Sequence, residues 1–486
     1  MKPMTPELFL LSSLIPIIVG IVMFKLDGKV ADWLMVLTSL SSLLLVSFGM
    51  LEFLSEGSYH VTYLRTPTLG EVYGIIVDPM SVLIGFVVAL AGFLFLLYSI
   101  DYMSPRNSTH PVHKDKGRFY AWMLIFLGST LGFIYSSTLL QLLVFFELMS
   151  LACWGVVSYY GTESAVRAAY KAFIIPNFGA VVGLYTALSI SITKLHDLSL
   201  YSLQGLDAHL KLVLFLGVMI AAFTKSAQFP FYSWLPDAME APTPASAFLH
   251  GAAMIEMGVY LLARIIQFMS PIPQEAFYVM LTLLAITQVL AIIYYPLQRD
   301  AKRLLAYSTI SEAGIMYVGL LYALLGNAEG IQASMFQLFN HAFVKGLAFL
   351  SAGTFAYSFG TLDMEKIRGI RWSMPVVAVG WFLALLGLAG APPFGIFFSK
   401  AYIVMSSKLA SQGFIAWIPV LLVLIDATVF FIVSVLWLKT MLFGEPTEKR
   451  EEITPLMKAV LLALIILSVV APLISYRFVT GIGFVR

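Results

Sequence analysis

Charge is what this chain has least of. Asp, Glu, Lys and Arg make up 12% of its 486 residues, while hydrophobic residues make up 60%. A soluble domain carries roughly twice that charged fraction. The composition therefore excludes a water-soluble globular protein and predicts an all-α polytopic membrane protein in a lipid bilayer. Cysteine is nearly missing too. Cys153, alone in an apolar stretch, excludes a disulfide framework and cysteine-based metal sites. There is no cysteine cluster, dinucleotide fingerprint or phosphate loop, so neither a cofactor nor a metal is expected, and nucleic acid is not an expected partner. Asparagine is scarce, a bias that suits a thermophile.

What remains is apolar segments of membrane length. At about 20 apolar residues per crossing, the chain divides into roughly fourteen helices. The first eight fall near 7–25, 30–52, 79–104, 117–136, 138–160, 163–193, 209–239 (broken) and 243–268. The last six fall near 276–297, 302–326, 329–357, 374–411 (broken), 414–443 and 455–476. The first, behind Lys2, looks like a signal peptide, but no small-residue cleavage pattern follows and it is kept as a span. Between helices two and three, SEGSYHVTYLRTPTLGEVYGIIVDP is rich in Tyr, Val and Thr and predicts a short hairpin outside the bilayer. Basic residues cluster in alternate loops: Lys25 and Lys29, Lys114 to Arg118, Arg167 and Lys171, Arg299 to Arg303, Lys366 to Arg371, and Lys439 to Lys458. The positive-inside rule then puts both termini outside, in the cell membrane of a prokaryote.

Charge is concentrated in one stretch, Ala222 to Arg264. It carries Lys225, Asp237, Glu240, His250 and Glu256 and is broken by Pro230, Pro236, Pro242 and Pro244. Ions and helix breaks are costly in lipid, and proteins keep them where they line a polar cavity. The same order of charges recurs further on. Glu147 in helix five matches Glu312 in helix ten, Lys225 matches Lys400 beside the prolines of helix twelve, and Glu256 matches Asp426 in helix thirteen. Helices four to eight and nine to thirteen are thus expected to be two five-helix repeats, inverted because five is odd. The divisions are 1–116, a three-helix segment with the hairpin; 117–268 and 269–445, the repeats; and 446–486, helix fourteen.

A low-dielectric interior disfavours the charged forms of lysine and carboxylate alike, and a nearby opposite charge restores them. Moving or neutralising an acid beside a lysine would switch that lysine between holding and releasing a proton. Glu147, Lys225, Glu312, Lys400, Glu256 and Asp426 thus form a candidate relay. His250 and His341 are positioned to pass protons to the lysines, and Lys345 lies between the two halves. The plainer readings are that the acids neutralise lysines structurally and that the histidines pack. Asp237 and Glu240 read as caps of exposed amides, Asp78 as the cap of helix three, and Lys302 and Arg303 as interface anchors.

At these residues the sequence resembles the antiporter-like, proton-translocating subunits of respiratory complex I, of related membrane-bound hydrogenases and of multi-subunit Mrp-type sodium/proton antiporters. The matching words are FFELMSL around Glu147, KSAQFPFYSWLPDAMEAPTPASAFLHGAAM from Lys225, KRLLAYSTIS from Lys302, NHAFVKGLAFL from Asn340, and GAPPFGIFFSK ending at Lys400. The resemblance implies a fourteen-helix fold with inverted halves and broken helices seven and twelve. It also implies a polar axis through Glu147, Lys225, Lys345 and Lys400 with His250 and His341 nearby. Glu256 stands where relatives often carry lysine or a neutral residue, and Glu312 where glutamine is common, which leaves room for sodium beside the proton. The chain stops soon after helix fourteen, without the lateral helix of the most distal member of complex I. A hydrogenase-type member, an Mrp D-type member or a middle member of complex I is therefore expected, working beside other membrane subunits. A stand-alone carrier of a small solute is the alternative.

Overall fold

The computed structural model describes residues 5–407 and 413–485. Thirteen helices among these residues are long and apolar enough to cross a membrane. Two shorter ones, Pro375–Leu388 and Gly395–Ser406, make up the broken helix twelve, so the count of fourteen holds. Predicted positions 408–411 of helix twelve lie outside the described residues. Helices one to six are Thr5–Met23, Gly28–Glu56, Pro79–Tyr102, Lys116–Tyr135, Leu139–Val157 and Glu163–Ile190. Helix nine is Glu275–Tyr294, ten Ala301–Leu324, eleven Ala328–Phe359, thirteen Ile418–Leu442 and fourteen Pro455–Val479.

Helix starts follow local chemistry. The first amides of a helix have no intrahelical acceptor and need one from a side chain. Asp78, Thr138, Thr162, Asp207, Asp300 and Thr454 each supply it. Asp78 does so in a reciprocal box with Ser81, as its position before Pro79 predicts.

Helices seven and eight depart from the expected limits. Helix seven stops at Lys225 (Ala208–Lys225), and beyond Pro230 it resumes only as a short helical stretch, Trp234–Asp237 continued by the tight turn Ala238–Glu240. Helix eight, expected unbroken, consists of Thr243–Gly251 and Met254–Met269. At the break the amides of Ala252 and Ala253 both donate to the Phe248 carbonyl, at 3.1 and 2.9 Å, which slips the ladder by one residue. Just past it, helix eight presses on helix seven at Gly258. A Cβ there would sit 2.1 Å from Ser226 Oγ and 2.4 Å from the Ala222 carbonyl, so only glycine permits the approach.

Helix eight is buried along its whole length, and helix eleven from Ala333 to Phe359. Helix eleven packs against helices three, eight, ten, twelve and fourteen and forms the axis of the bundle. The outward faces of helices one, two and six expose Ile18, Trp33, Phe48, Ile174 and Phe178, as lipid or neighbouring subunits require.

The expected hairpin is present. Strand β1 (Tyr59–Thr66) pairs antiparallel with β2 (Gly70–Val77), Tyr59 opposite Val77 and Thr66 opposite Gly70. It is fixed to the start of helix five, where the Gln141 side chain bonds both the amide and the carbonyl of Gly74. Glu71, buried beneath it, accepts hydrogen bonds from His60 Nε2 (2.8 Å) and Ser137 Oγ (2.6 Å). Burial pushes the Glu71 carboxyl up, but these bonds outweigh it and hold the carboxyl below its ordinary value. A depressed carboxyl contributes stability above its unfolded-state value and loses it as pH falls through the folded one. The protection of the β1–β2 amides against hydrogen exchange, taken relative to the intrinsic rate at each pH, is therefore expected to be level at neutral pH and to fall in acid below the ordinary glutamate range. Glu71→Gln should remove that acid dependence, and an unchanged profile would refute the assignment.

Candidate functional site

Helix ten carries Ser308, Thr309, Ser311 and Glu312 within little more than one turn. Positions 308 and 312 stack on one face, with 309 beside them. Three buried basic groups end on this face. Lys345 Nζ donates to Ser308 Oγ at 2.6 Å, His250 Nδ1 lies 3.1 Å from Thr309 Oγ1, and Lys400 Nζ lies 2.7 Å from Glu312 Oε1.

Each partner is held in turn. Lys400 also donates to the Leu388 carbonyl at 2.8 Å. Leu388 ends the first half of helix twelve, so its carbonyl is free of the helix ladder because the helix is broken there. The second oxygen of Glu312 accepts from Gln337 Nε2 at 2.6 Å, and Gln337 accepts from Ser399 Oγ. On helix eleven, His341 and Lys345 lie one turn apart. His341 Nδ1 is 3.0 Å from Glu256 Oε1 of helix eight. Asp426 of helix thirteen accepts from Tyr295 OH at 2.8 Å. Lys345 is within electrostatic reach of Glu312, Glu256, Lys400 and Asp426, and His341 within reach of Lys345, Lys400 and His250. Seven of the nine predicted residues thus form one connected group, almost wholly shielded from solvent.

The other two stand apart from it. Lys225, the last residue of helix seven, is fully buried and turns to helix five. It donates to the Phe146 carbonyl and to Ser150 Oγ, both at 2.8 Å, and lies 3.9 Å above the Phe146 ring. Glu147 sits between these contacts in sequence, is only half-buried, and makes no ion pair among the described residues. Lys225 is nonetheless the charge that acts on it. Glu147 therefore faces the flank of the protein, whereas the larger group lies inside.

Several polar residues were assigned differently from the sequence, or not at all. Asp237 and Glu240 do not cap a helix. Asp237 pairs with Lys171 (2.7 Å) and Arg303 (3.3 Å), and Glu240 accepts from Ser164. Lys302 is buried rather than anchored at the interface, donating to the carbonyls of Met239 and Ala241, both at 2.7 Å. These residues line an open cleft of about 1020 Å³ that also reaches His110, Tyr102 and Thr243. Arg264, unremarked in the sequence, is fully buried and grips Asp78 with two nitrogens at 2.5 and 2.9 Å, tying helix eight to helix three. An arginine inside a predicted span was the available signal.

The family model for NADH:quinone oxidoreductase/Mrp antiporter transmembrane proteins matches residues 136–426, which contain all nine of these positions. The A-type chain of the Na(+)/H(+) antiporter of Alkalihalophilus pseudofirmus is 36% identical over 356 residues, 69% of this chain and 43% of that protein. The A1-type chain of the Na(+)/H(+) antiporter of Staphylococcus aureus is 34% identical over 369 residues, 71% and 44% of the two chains. The chain thus spans less than half the length of these curated relatives. Among solved structures, a chain of the membrane-bound sulfane sulfur reductase, an archaeal respiratory membrane complex, superposes with a TM-score of 0.83. It has 24% identity, and the match covers 98% of this chain and 96% of that one. A chain of the Mrp complex from Dietzia sp. DQ12-45-1b matches with a TM-score of 0.83 and 18% identity, covering 99% and 97%. These two likenesses establish a shared fold.

The Asp78–Arg264 pair supplies a stability test. Removing one member of a buried pair leaves the other charge uncompensated, at about 3–5 kcal/mol. Arg264→Met is expected to lower the thermal unfolding midpoint in detergent, and Asp78→Asn in the same chain to recover much of the loss. Two additive losses would show that the ions are not paired.

Proposed function

This chain belongs to the NADH:quinone oxidoreductase/Mrp antiporter transmembrane family, and we propose that it moves protons, sodium ions or both across a membrane as one subunit of a larger assembly. The observation that carries this reading is the buried run of ionisable side chains from Glu147 and Lys225 through Lys345 to Glu312, Lys400 and Asp426. Burying so many titratable groups is costly to stability, and intramembrane ionisable residues mark ion pathways.

Each element has a role in such a pathway. Glu147, on the flank, supplies a charge able to sense a neighbouring protein and to bias Lys225. Lys345, held only by a hydroxyl, is the lysine freest to exchange its proton with His341, His250 or water. Glu312 and Lys400 form the most tightly paired site, where protonating the acid would release the lysine. The cleft at Lys302, Asp237 and Glu240 supplies water access from the side rich in basic residues. That side is the inner face of a prokaryotic cell membrane if both termini lie outside. The two five-helix blocks, 117–268 and 269–445, would be inverted copies carrying matching charges. Partner subunits would supply the driving reaction, either redox chemistry or ion exchange, since the relatives named above are chains of an antiporter and of a respiratory complex. A stand-alone solute carrier is less well supported: the open cleft at Lys302 is lined by none of Lys225, Lys345 and Lys400.

The test is coupled ion movement in proteoliposomes of the purified assembly. Glu147→Ala and Lys225→Ala are each expected to reduce it by about tenfold or more, as loss of a positioned proton-transfer group does, with the make-up of the assembly unchanged. Unaltered coupling in both variants would refute the relay.

A further inference from the structure

Helix eight is interrupted between His250 and Glu256 in a segment buried from Thr243 to Met269. Because the Ala252 and Ala253 amides both turn to Phe248, the carbonyls of Leu249, His250, Gly251 and Ala252 receive no hydrogen bond among the described residues. These are the orphan acceptors of a half-helix C-terminus, where the backbone dipoles add a partial negative charge.

A second and independent feature is Glu256. It is fully buried, its Oε1 faces His341 Nδ1, and its Oε2 has no partner. It lies in the first turn of the second half-helix, where side chains lean back toward the preceding residues. The break and the carboxylate also share one patch of helix eleven: a Cβ on Gly251 would meet the Ala342 carbonyl at 3.2 Å and Lys345 Cβ at 3.7 Å, while Glu256 touches His341 one turn earlier. Among the described residues no lysine or arginine pairs with Glu256, because Lys345 is directed to Ser308 on helix ten.

The unsatisfied atoms here are mainly acceptors, four carbonyl oxygens and a carboxylate oxygen. A water molecule brings two donors, whereas a cation is met by acceptors alone. Unwound carbonyls facing a half-helix terminus are how discontinuous membrane helices hold small cations. The charge follows from the ligand set: one carboxylate balances a single positive charge, whereas Ca²⁺ sites draw on several. Among the described residues no cluster of three His, Cys, Asp or Glu side chains offers a transition-metal alternative. We propose that the helix-eight break binds one monovalent cation of sodium's size, held by Glu256 Oε2 and the carbonyls of the unwound turn at Leu249–Ala252. This deepens the ion-translocation reading by naming an ion and its ligands. Its test reads binding rather than transport, so either proposal can fail without the other.

The measurement is equilibrium binding of radioactive sodium to the full-length chain purified in detergent. Saturable binding is expected in the unmodified chain and in Glu448→Gln, an exposed loop carboxylate. Glu256→Asp should weaken it and Glu256→Gln abolish it. No saturable binding in the unmodified chain, or binding unaffected by Glu256→Gln, would overturn the proposal. Should the glutamine variant fail to fold, the unmodified chain decides. Carbodiimide modification of Glu256, mapped by mass spectrometry, is expected to slow about tenfold at sodium near ten times its dissociation constant, following the unliganded fraction. Modification insensitive to sodium, or absent at Glu256, counts against the site.

Discussion

Three ammonium groups, those of Lys225, Lys345 and Lys400, are buried away from bulk solvent, and the arrangement of the interior follows from how each is satisfied. An unpaired ion in a low-dielectric medium is costly enough to unfold a marginally stable protein. The three solutions differ in strength. Lys400 has a carboxylate and a carbonyl, Lys225 a carbonyl, a hydroxyl and an aromatic face, and Lys345 a single hydroxyl. That gradation is what a switchable system requires. Were all three locked by carboxylates, none would let go of its proton. Were none paired, the helices that carry them would not pack.

The broken helices belong to the same scheme. A continuous membrane helix satisfies every backbone group within itself and has nothing left to offer an ion. Breaking helix twelve frees the Leu388 carbonyl for Lys400. Ending helix seven at Lys225 lets that side chain reach across to helix five. The breaks are tolerated because neighbouring side chains take up the other freed groups. Trp234 Nε1 donates to the Thr224 carbonyl at 2.9 Å, and Thr287 Oγ1 accepts from the Phe229 amide at 3.0 Å.

Much of this was legible in the chain itself. Fourteen apolar segments, the hairpin, the cap at Asp78 and the breaks beside Pro230 and Pro393 follow from local rules about apolar length, turn residues and proline. The nine charged or imidazole positions stood out because ions are rare in such segments. The pairing among them did not. Lys400 does meet a carboxylate, that of Glu312. Yet Glu256 faces His341 rather than a lysine, and Lys345 rests on Ser308, a residue without any sequence signal. The helix-eight break was invisible for a similar reason. Gly251-Ala252-Ala253 contains no proline, and alanine is the best helix former. The break is flanked by close contacts with helices seven and eleven, at Gly258 and Gly251, and local propensity carries no record of such contacts.

The division of the ionisable residues into two groups follows from what separates them. Beside Lys225, toward helix ten, stand the neutral polar groups of Ser226, Gln228 and Tyr317. Ser226 Oγ donates to the Ile255 carbonyl (2.7 Å) and meets Tyr317 OH (3.0 Å), and Gln228 donates to the carbonyls of Ser226 and Ile310. A hydroxyl can both give and receive a proton, whereas an amide only orients its neighbours. In the proposed relay, a proton on Lys225 would pass inward along the hydroxyls of Ser226 and Tyr317 once water joins them. The link between the flank, where Glu147 lies, and the interior, where Lys345 and Lys400 are held, would then be hydration of neutral polar side chains.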